Sequence, residues 1–179
     1  VEVQARMAEL PLSFITNIGQ ADPNVRFVVK AGEQTIFFTP HEVVFATSGE
    51  TESGVHRSSA VRLRFVGANG EVEVEGRDPL PGIANFFLGN DPERWRTDAP
   101  TYAAIVYHDL YPGIDLIYRG EQGRLKSEFV VSPGVDPGMI TMNYSGASDL
   151  YLREDGALVL ETLTGELVEA PLLIYQVLN

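Results

Sequence analysis

The stretch D-P-L-P-G-I-A-N-F-F-L-G-N-D-P-E-R-W-R-T-D-A-P-T-Y-A-A-I-V-Y-H-D-L-Y-P-G-I-D-L-I-Y, residues 78–118, decides how the rest of the chain is read. It holds the single Trp (Trp95), four of the seven Tyr, five Pro and five Asp, so turn formers and aromatics interleave here as nowhere else. Pro79 and Pro81 restrain the backbone on entry. Asp91 is placed to cap one turn with Pro92 at its first position, and Trp95 follows where a large ring can drop onto a core. A strand over residues 101–107 then leaves the corner, and Tyr111-Pro112-Gly113 turns into a second strand over 114–118. The expectation is a rigid β corner with Trp95 buried.

Working outward, apolar, β-branched or aromatic runs at 25–30, 34–39 and 42–47 are separated by Ala31-Gly32-Glu33 and Pro40-His41. Residues 49–58 are polar and suit a mobile loop. Residues 61–66 and 71–75 alternate cleanly, and Asn69-Gly70 between them signals a hairpin. That hairpin would set Arg62 and Arg64 against Glu71, Glu73 and Glu75. Downstream, strands are expected at 123–131, 139–143, 149–153, 157–162, 166–169 and 172–177, with turns at Glu154-Asp155-Gly156 and Leu163-Thr164-Gly165. The total is about thirteen short strands, and no window keeps the 3.6-residue period of a long helix. The class is all-β. Two packed antiparallel sheets, a jelly-roll-like β-sandwich, bury this much Val, Leu, Ile and Phe most simply. Residues 10–179 read as one domain behind an arm, residues 1–9.

Composition narrows the function classes. Hydrophobic content of 44% with 21% charged residues is ordinary for a folded globular chain. A net charge of −12 repels phosphate backbones and anionic lipid, which disfavours nucleic-acid binding. There is no Cys, so disulfides and thiolate chemistry are excluded. No run approaches the ~18 apolar residues that span a bilayer, so no direct membrane insertion is expected. The start at Val1 reads as a processed product or an excised domain.

The acidic pool Asp91, Asp98, Asp109 and Asp115, with Glu93 beside it, could supply the two facing carboxylates of a glycosidase. Asp91 before Pro and Asp98 before Ala-Pro read more naturally as cap and turn residues. His41, His56 and His108 offer no hydrolytic triad, since no G-x-S-x-G elbow occurs and His108 and Asp109 point to opposite faces of a strand. The same four aspartates could hold calcium as a cofactor, although no D-x-D-x-D-G loop is present. Trp95, Tyr102, Tyr107 and Tyr111 could form a sugar-stacking platform, with Tyr107 and Tyr111 exposed beside a turn. In the arm, Val1, Val3 and Ala5 alternate with polar residues and could add as a strand to a neighbouring copy, propagating a filament.

A series of motifs carries a family resemblance. Leu10-Pro-Leu-Ser-Phe14, Asn17-Ile-Gly-Gln20 and Asp22-Pro-Asn-Val-Arg-Phe27 open it, and Glu75-Gly-Arg-Asp-Pro-Leu-Pro-Gly82, Gly89-Asn-Asp-Pro92 and Trp95-Arg-Thr-Asp98 continue it. Tyr111-Pro-Gly-Ile-Asp-Leu116, Asp136-Pro137 and Tyr175-Gln176 follow in order. This resembles a bacterial domain of unknown function that precedes SBBP-type β-propeller repeats in secreted or cell-surface proteins. The resemblance implies an exported β domain with no catalytic residues to carry over. The expected function is therefore a non-catalytic extracellular structural or interaction domain that binds protein, including further copies of itself. The alternative is a carbohydrate-binding module that takes a polysaccharide.

Overall fold

A computed structural model describes residues 12–50, 56–121 and 123–175. Among them the chain forms thirteen strands: β1 (Phe14–Thr16), β2 (Phe27–Ala31), β3 (Gln34–Phe38), β4 (Glu42–Glu50), β5 (His56–Phe65), β6 (Glu73–Phe86), β7 (Arg96–Tyr111), β8 (Ile114–Glu121), β9 (Arg124–Val131), β10 (Met142–Ser145), β11 (Asp149–Leu152), β12 (Leu158–Thr162) and β13 (Gly165–Glu169). Among the described residues the helical content is two single 3-10 turns, Pro92–Arg94 and Pro137–Met139. The chain is all-β, as its period-two alternation requires.

Ten strands join one antiparallel sheet in the order β10-β5-β4-β3-β2-β1-β7-β8-β9, with β6 also on β7. β6 covers one edge of β7 from Arg96 to His108. β1, at Thr101 and Tyr102, and β8, from Ala104 to Tyr111, must therefore share the other edge. The sheet forks at that point. A Cβ on Gly120 of β8 would lie 2.8 Å from Leu12 Cβ and 2.9 Å from its backbone N and O, so only glycine lets the two branches cross so closely.

The sheet also curls. Phe65 of β5 and Tyr107 of β7 lie five strand spacings apart along it, roughly 24 Å if it were flat. Their ring centroids are 5.5 Å apart. Phe14, Phe38, Tyr118 and Tyr107 continue the aromatic contact through the inside of the curl, at 5.4, 5.2 and 6.0 Å between successive centroids. The three-stranded sheet β11-β12-β13 packs Leu158, Leu160 and Leu167 against this core. The division into ten and three strands does not confirm the jelly-roll-like sandwich expected from the sequence.

Other expectations also change. Asn69-Gly70 makes no β5–β6 hairpin, because β5 pairs with β4 and β10. The Asn69 N–H instead donates to the Leu110 carbonyl at 2.9 Å, tying the connection to β7. Arg62 and Arg64 accordingly meet Glu42 rather than Glu71, Glu73 and Glu75, since Glu42 is the register partner of Arg64 on the same solvent face. The β4–β5 ladder extends to Glu50 and His56, so the whole described part of the expected polar loop is hairpin. Residues 172–175 join no strand. The arm, residues 1–9, lies outside the described residues.

Candidate functional site

The β6–β7 hairpin projects an apolar tip. Its turn is built as the sequence implies: the Asp91 carboxylate accepts the Glu93 N–H at 3.1 Å, Pro92 follows the cap, and the Trp95 N–H closes the turn on the Pro92 carbonyl at 3.1 Å. The Trp95 indole is not in the core. Its Nε1–H donates to the Gly89 carbonyl at 3.1 Å, and the Phe87 ring stands at 87° to it with centroids 5.1 Å apart. Trp95 is 37% exposed, Phe87 62%, and Ile83 and Leu88 are exposed beside them. The expected burial of Trp95 fails because the hairpin carries the turn beyond the described strands beside β7, β1 reaching it at Thr101 and β8 at Ala104.

Arg96 braces this tip. Arg96 donates to the carbonyls of Glu93 (3.0 Å) and Trp95 (2.9 Å). Its side chain also lies against Gly19, where an added Cβ would sit 2.9 Å from Arg96 Nε. That contact ties the tip to the β1–β2 turn, which Asn17 organises by donating to the carbonyls of Asp22 and Val25 at 2.8 and 2.9 Å. Further along, the Asp98 N–H donates to Asn85 Oδ1 at 2.9 Å, and Asp98 takes φ = 64° inside β7. Asp98 is thus part of an irregular strand rather than of a turn.

The other aromatics are core or lean on it. Tyr107 and Tyr111 are buried, correcting their expected exposure, and donate their hydroxyls to the carbonyls of Thr39 (2.9 Å) and Thr141 (2.7 Å). The hydroxyls are what a buried tyrosine must satisfy. Burial drives the Tyr107 hydroxyl pKa well above its ordinary value. Tyr102 is half-buried with its ring edge-on to Phe27, and its face fills the space beside Gly76. Of the expected platform only Trp95 faces solvent, and its exposed partner Phe87 was not singled out by the sequence. The signal was present in Phe86-Phe87-Leu88 running into Gly89-Asn90, three large apolar residues with no polar alternation.

β7 separates the four aspartates into two pairs. Asp115 Oδ1 accepts the Asp109 N–H at 2.8 Å, and Asp109 Oδ1 accepts the Gly113 N–H at 3.1 Å. These bonds hold a β7–β8 irregularity in which Asp109 has φ = 45°. Among the described residues no three His, Asp or Glu side chains converge as a metal site. His108 meets Glu75 across β6–β7 at 2.9 Å, while His41 and His56 are exposed.

A second polar constellation lies where the small sheet meets the large one. Glu169 of β13 accepts the Tyr144 hydroxyl of β10 at 2.7 Å. Burial raises the Glu169 pKa, and the Tyr144 donor partly offsets this. Burial, then the Glu169 charge, raises Tyr118 beside it. Nearby, Ser59 and Thr164 share a 2.5 Å hydroxyl contact at a cleft of about 230 Å³. No sequence pattern marks this cluster, because its members come from four strands and a turn spread over two sheets.

Among the described residues no helix is long and apolar enough to cross a membrane. Comparison with curated proteins and with solved structures returns no match. A family model does match, and it concerns an uncharacterised domain with no link to SBBP-type repeats. That model, for a domain of unknown function (DUF7948), covers residues 14–179, and the chain belongs to this family.

Proposed function

We propose that this chain is a non-catalytic extracellular interaction domain that binds another protein through the β6–β7 tip. The observation that carries this is the braced apolar projection of Ile83, Phe87, Leu88 and Trp95, rimmed by Arg94 and Glu93. Clustered exposed aromatics beside Arg are the composition of protein-binding hot spots, and a pre-ordered tip loses little entropy on binding. An external location rests on the motif order described above. Calcium has no part in this reading, because among the described residues the four aspartates do not converge with other ligands as a metal site.

The carbohydrate-binding alternative keeps one support, the half-open Trp95 ring. Its weakness is geometric: Phe87 stands edge-on to Trp95, so the pair offers no flat two-ring platform. A photo-crosslinking residue in place of Leu88, in cells that make the protein, separates the two readings. Discrete protein adducts that disappear on Phe87→Ser or Trp95→Ser support protein binding. Glycan-array signal lost on Trp95→Ala supports the sugar module. Neither signal, with the fold intact, overturns both.

A further inference from the structure

The chain carries an unused strand and an unused edge, and we infer that the strand of one copy pairs with the edge of the next. The strand is P-L-L-I-Y, residues 171–175. It is apolar on both sides, with Leu172 82%, Leu173 80%, Ile174 84% and Tyr175 63% exposed. Such a two-sided apolar run belongs inside a sheet. Among the described residues its backbone joins no ladder, and its one polar anchor is the Tyr175 hydroxyl donating to Glu128.

The edge is β11. Among the described residues it pairs with β12 alone. Among them, too, the outward Leu150 N–H is met only by the adjoining Asp149 carboxylate, at 2.8 Å. Leu150 and Leu152 lie on the face where their register partners Leu160 and Leu158 pack into the core, yet they are 47% and 70% exposed. Tyr151 is exposed on the opposite face. An added strand here needs apolar side chains on both faces, which is what residues 172–175 present. It would exchange the local Asp149 contact for ladder hydrogen bonds and cover Leu150 and Leu152.

The donor must come from a second copy. A strand outside β11 lies three spacings from β13, about 14 Å. Glu169 and Leu172 are three residue steps apart, at most about 11 Å of extended chain. The contact uses different surfaces on the two copies, so it propagates head to tail, and two copies that exchange strands reciprocally close a swapped dimer. It does not depend on the aromatic tip.

The test is the mass of the whole chain against concentration, by sedimentation equilibrium. The parent is expected to associate as concentration rises, into chains of growing length or into dimers closed by reciprocal strand exchange. Ile174→Lys removes the donor and Leu152→Lys the edge, and each variant alone is expected to stay monomeric. Both sites are exposed, so folding is preserved, as a far-ultraviolet circular dichroism spectrum checks. An equimolar mixture of the two variants pairs the intact edge of one with the intact strand of the other and stops at dimers. A parent that stays monomeric at its solubility limit overturns the inference. So does assembly that survives both substitutions, the outcome expected if residues 1–9 or the β6–β7 tip drive association. Monomers in the mixture overturn it as well.

Discussion

The Trp95 indole rests on two modest supports, a hydrogen bond to the Gly89 carbonyl and the edge contact with Phe87. Trp95→Ala should therefore cost about 1 kcal/mol, moving the melting temperature by roughly 2–4 °C in a domain of this size. Tyr107 is the opposite case. It is fully buried between Phe65 and Tyr118, and Tyr107→Ala should cost about 3–5 kcal/mol. Tyr107→Phe isolates the hydroxyl that serves the Thr39 carbonyl and should cost about 1–2 kcal/mol. Thermal or denaturant melts of the three variants check the ranking; Trp95→Ala melting as low as Tyr107→Ala would show a buried indole. Residue type alone favours Trp as the buried anchor, being the largest apolar surface in the chain. Which aromatic is buried depends instead on how far the β6–β7 hairpin overshoots its neighbours, a distance set by the strands beside it.

Elements were legible where neighbouring residues alone decide them. Alternation along residues 61–66 marks β5, whose Val61, Leu63 and Phe65 are buried while Arg62 and Arg64 are exposed. Asp91-Pro92 and Tyr111-Pro112-Gly113 form their turns, the latter with Gly113 at φ = 73°. Pairing was not legible. Asn69-Gly70 has hairpin chemistry, but β5 already has partners on both edges in β4 and β10, so β6 must go elsewhere. The fork at β7 is equally hidden, because it depends on Leu12 crossing Gly120 over a hundred residues away in sequence. Gly120→Ala tests that crossing. Its methyl would press on Leu12 backbone rather than on a pliable side-chain end, so a loss of about 1–3 kcal/mol is expected. Gly70→Ala, with nothing within 4 Å of the added methyl, is the control and should be nearly neutral. Equal melts for the two would mean that the branches do not cross at Gly120.

At the scale of the whole molecule, the question is what fastens the three-stranded sheet over the curled one. Leu158, Leu160 and Leu167 supply the apolar contact, and the Ser59–Thr164 and Tyr144–Glu169 bonds add polar links. The last of these makes the fastening depend on pH. Glu169 has no Arg or Lys ion-pair partner among the described residues, and the hydroxyls of Tyr144 and Tyr118 are the titratable groups that face it. Burial lifts its pKa above the ordinary 4.5, so between 4.5 and the raised folded value the folded protein keeps a proton that the unfolded chain has released. The stability it contributes is present in full below 4.5 and is lost as pH rises through the folded value. Glu169→Gln keeps an acceptor for the Tyr144 hydroxyl but carries no charge. The Gln variant should melt with the parent below pH 4.5, and above it the variant should become progressively the more stable of the two. Tyr144→Phe removes the one bond that offsets burial, which raises the folded value further. The loss in that variant should therefore be larger at neutral pH than in acid. Paired melts from below pH 4.5 to neutrality read both differences, and the difference rather than either curve is diagnostic because the other carboxylates cancel in it. A parent-minus-Gln difference that stays flat across the range would mean Glu169 is ionised and solvated as in the unfolded chain, and the polar link between the sheets would then lie with Ser59 and Thr164.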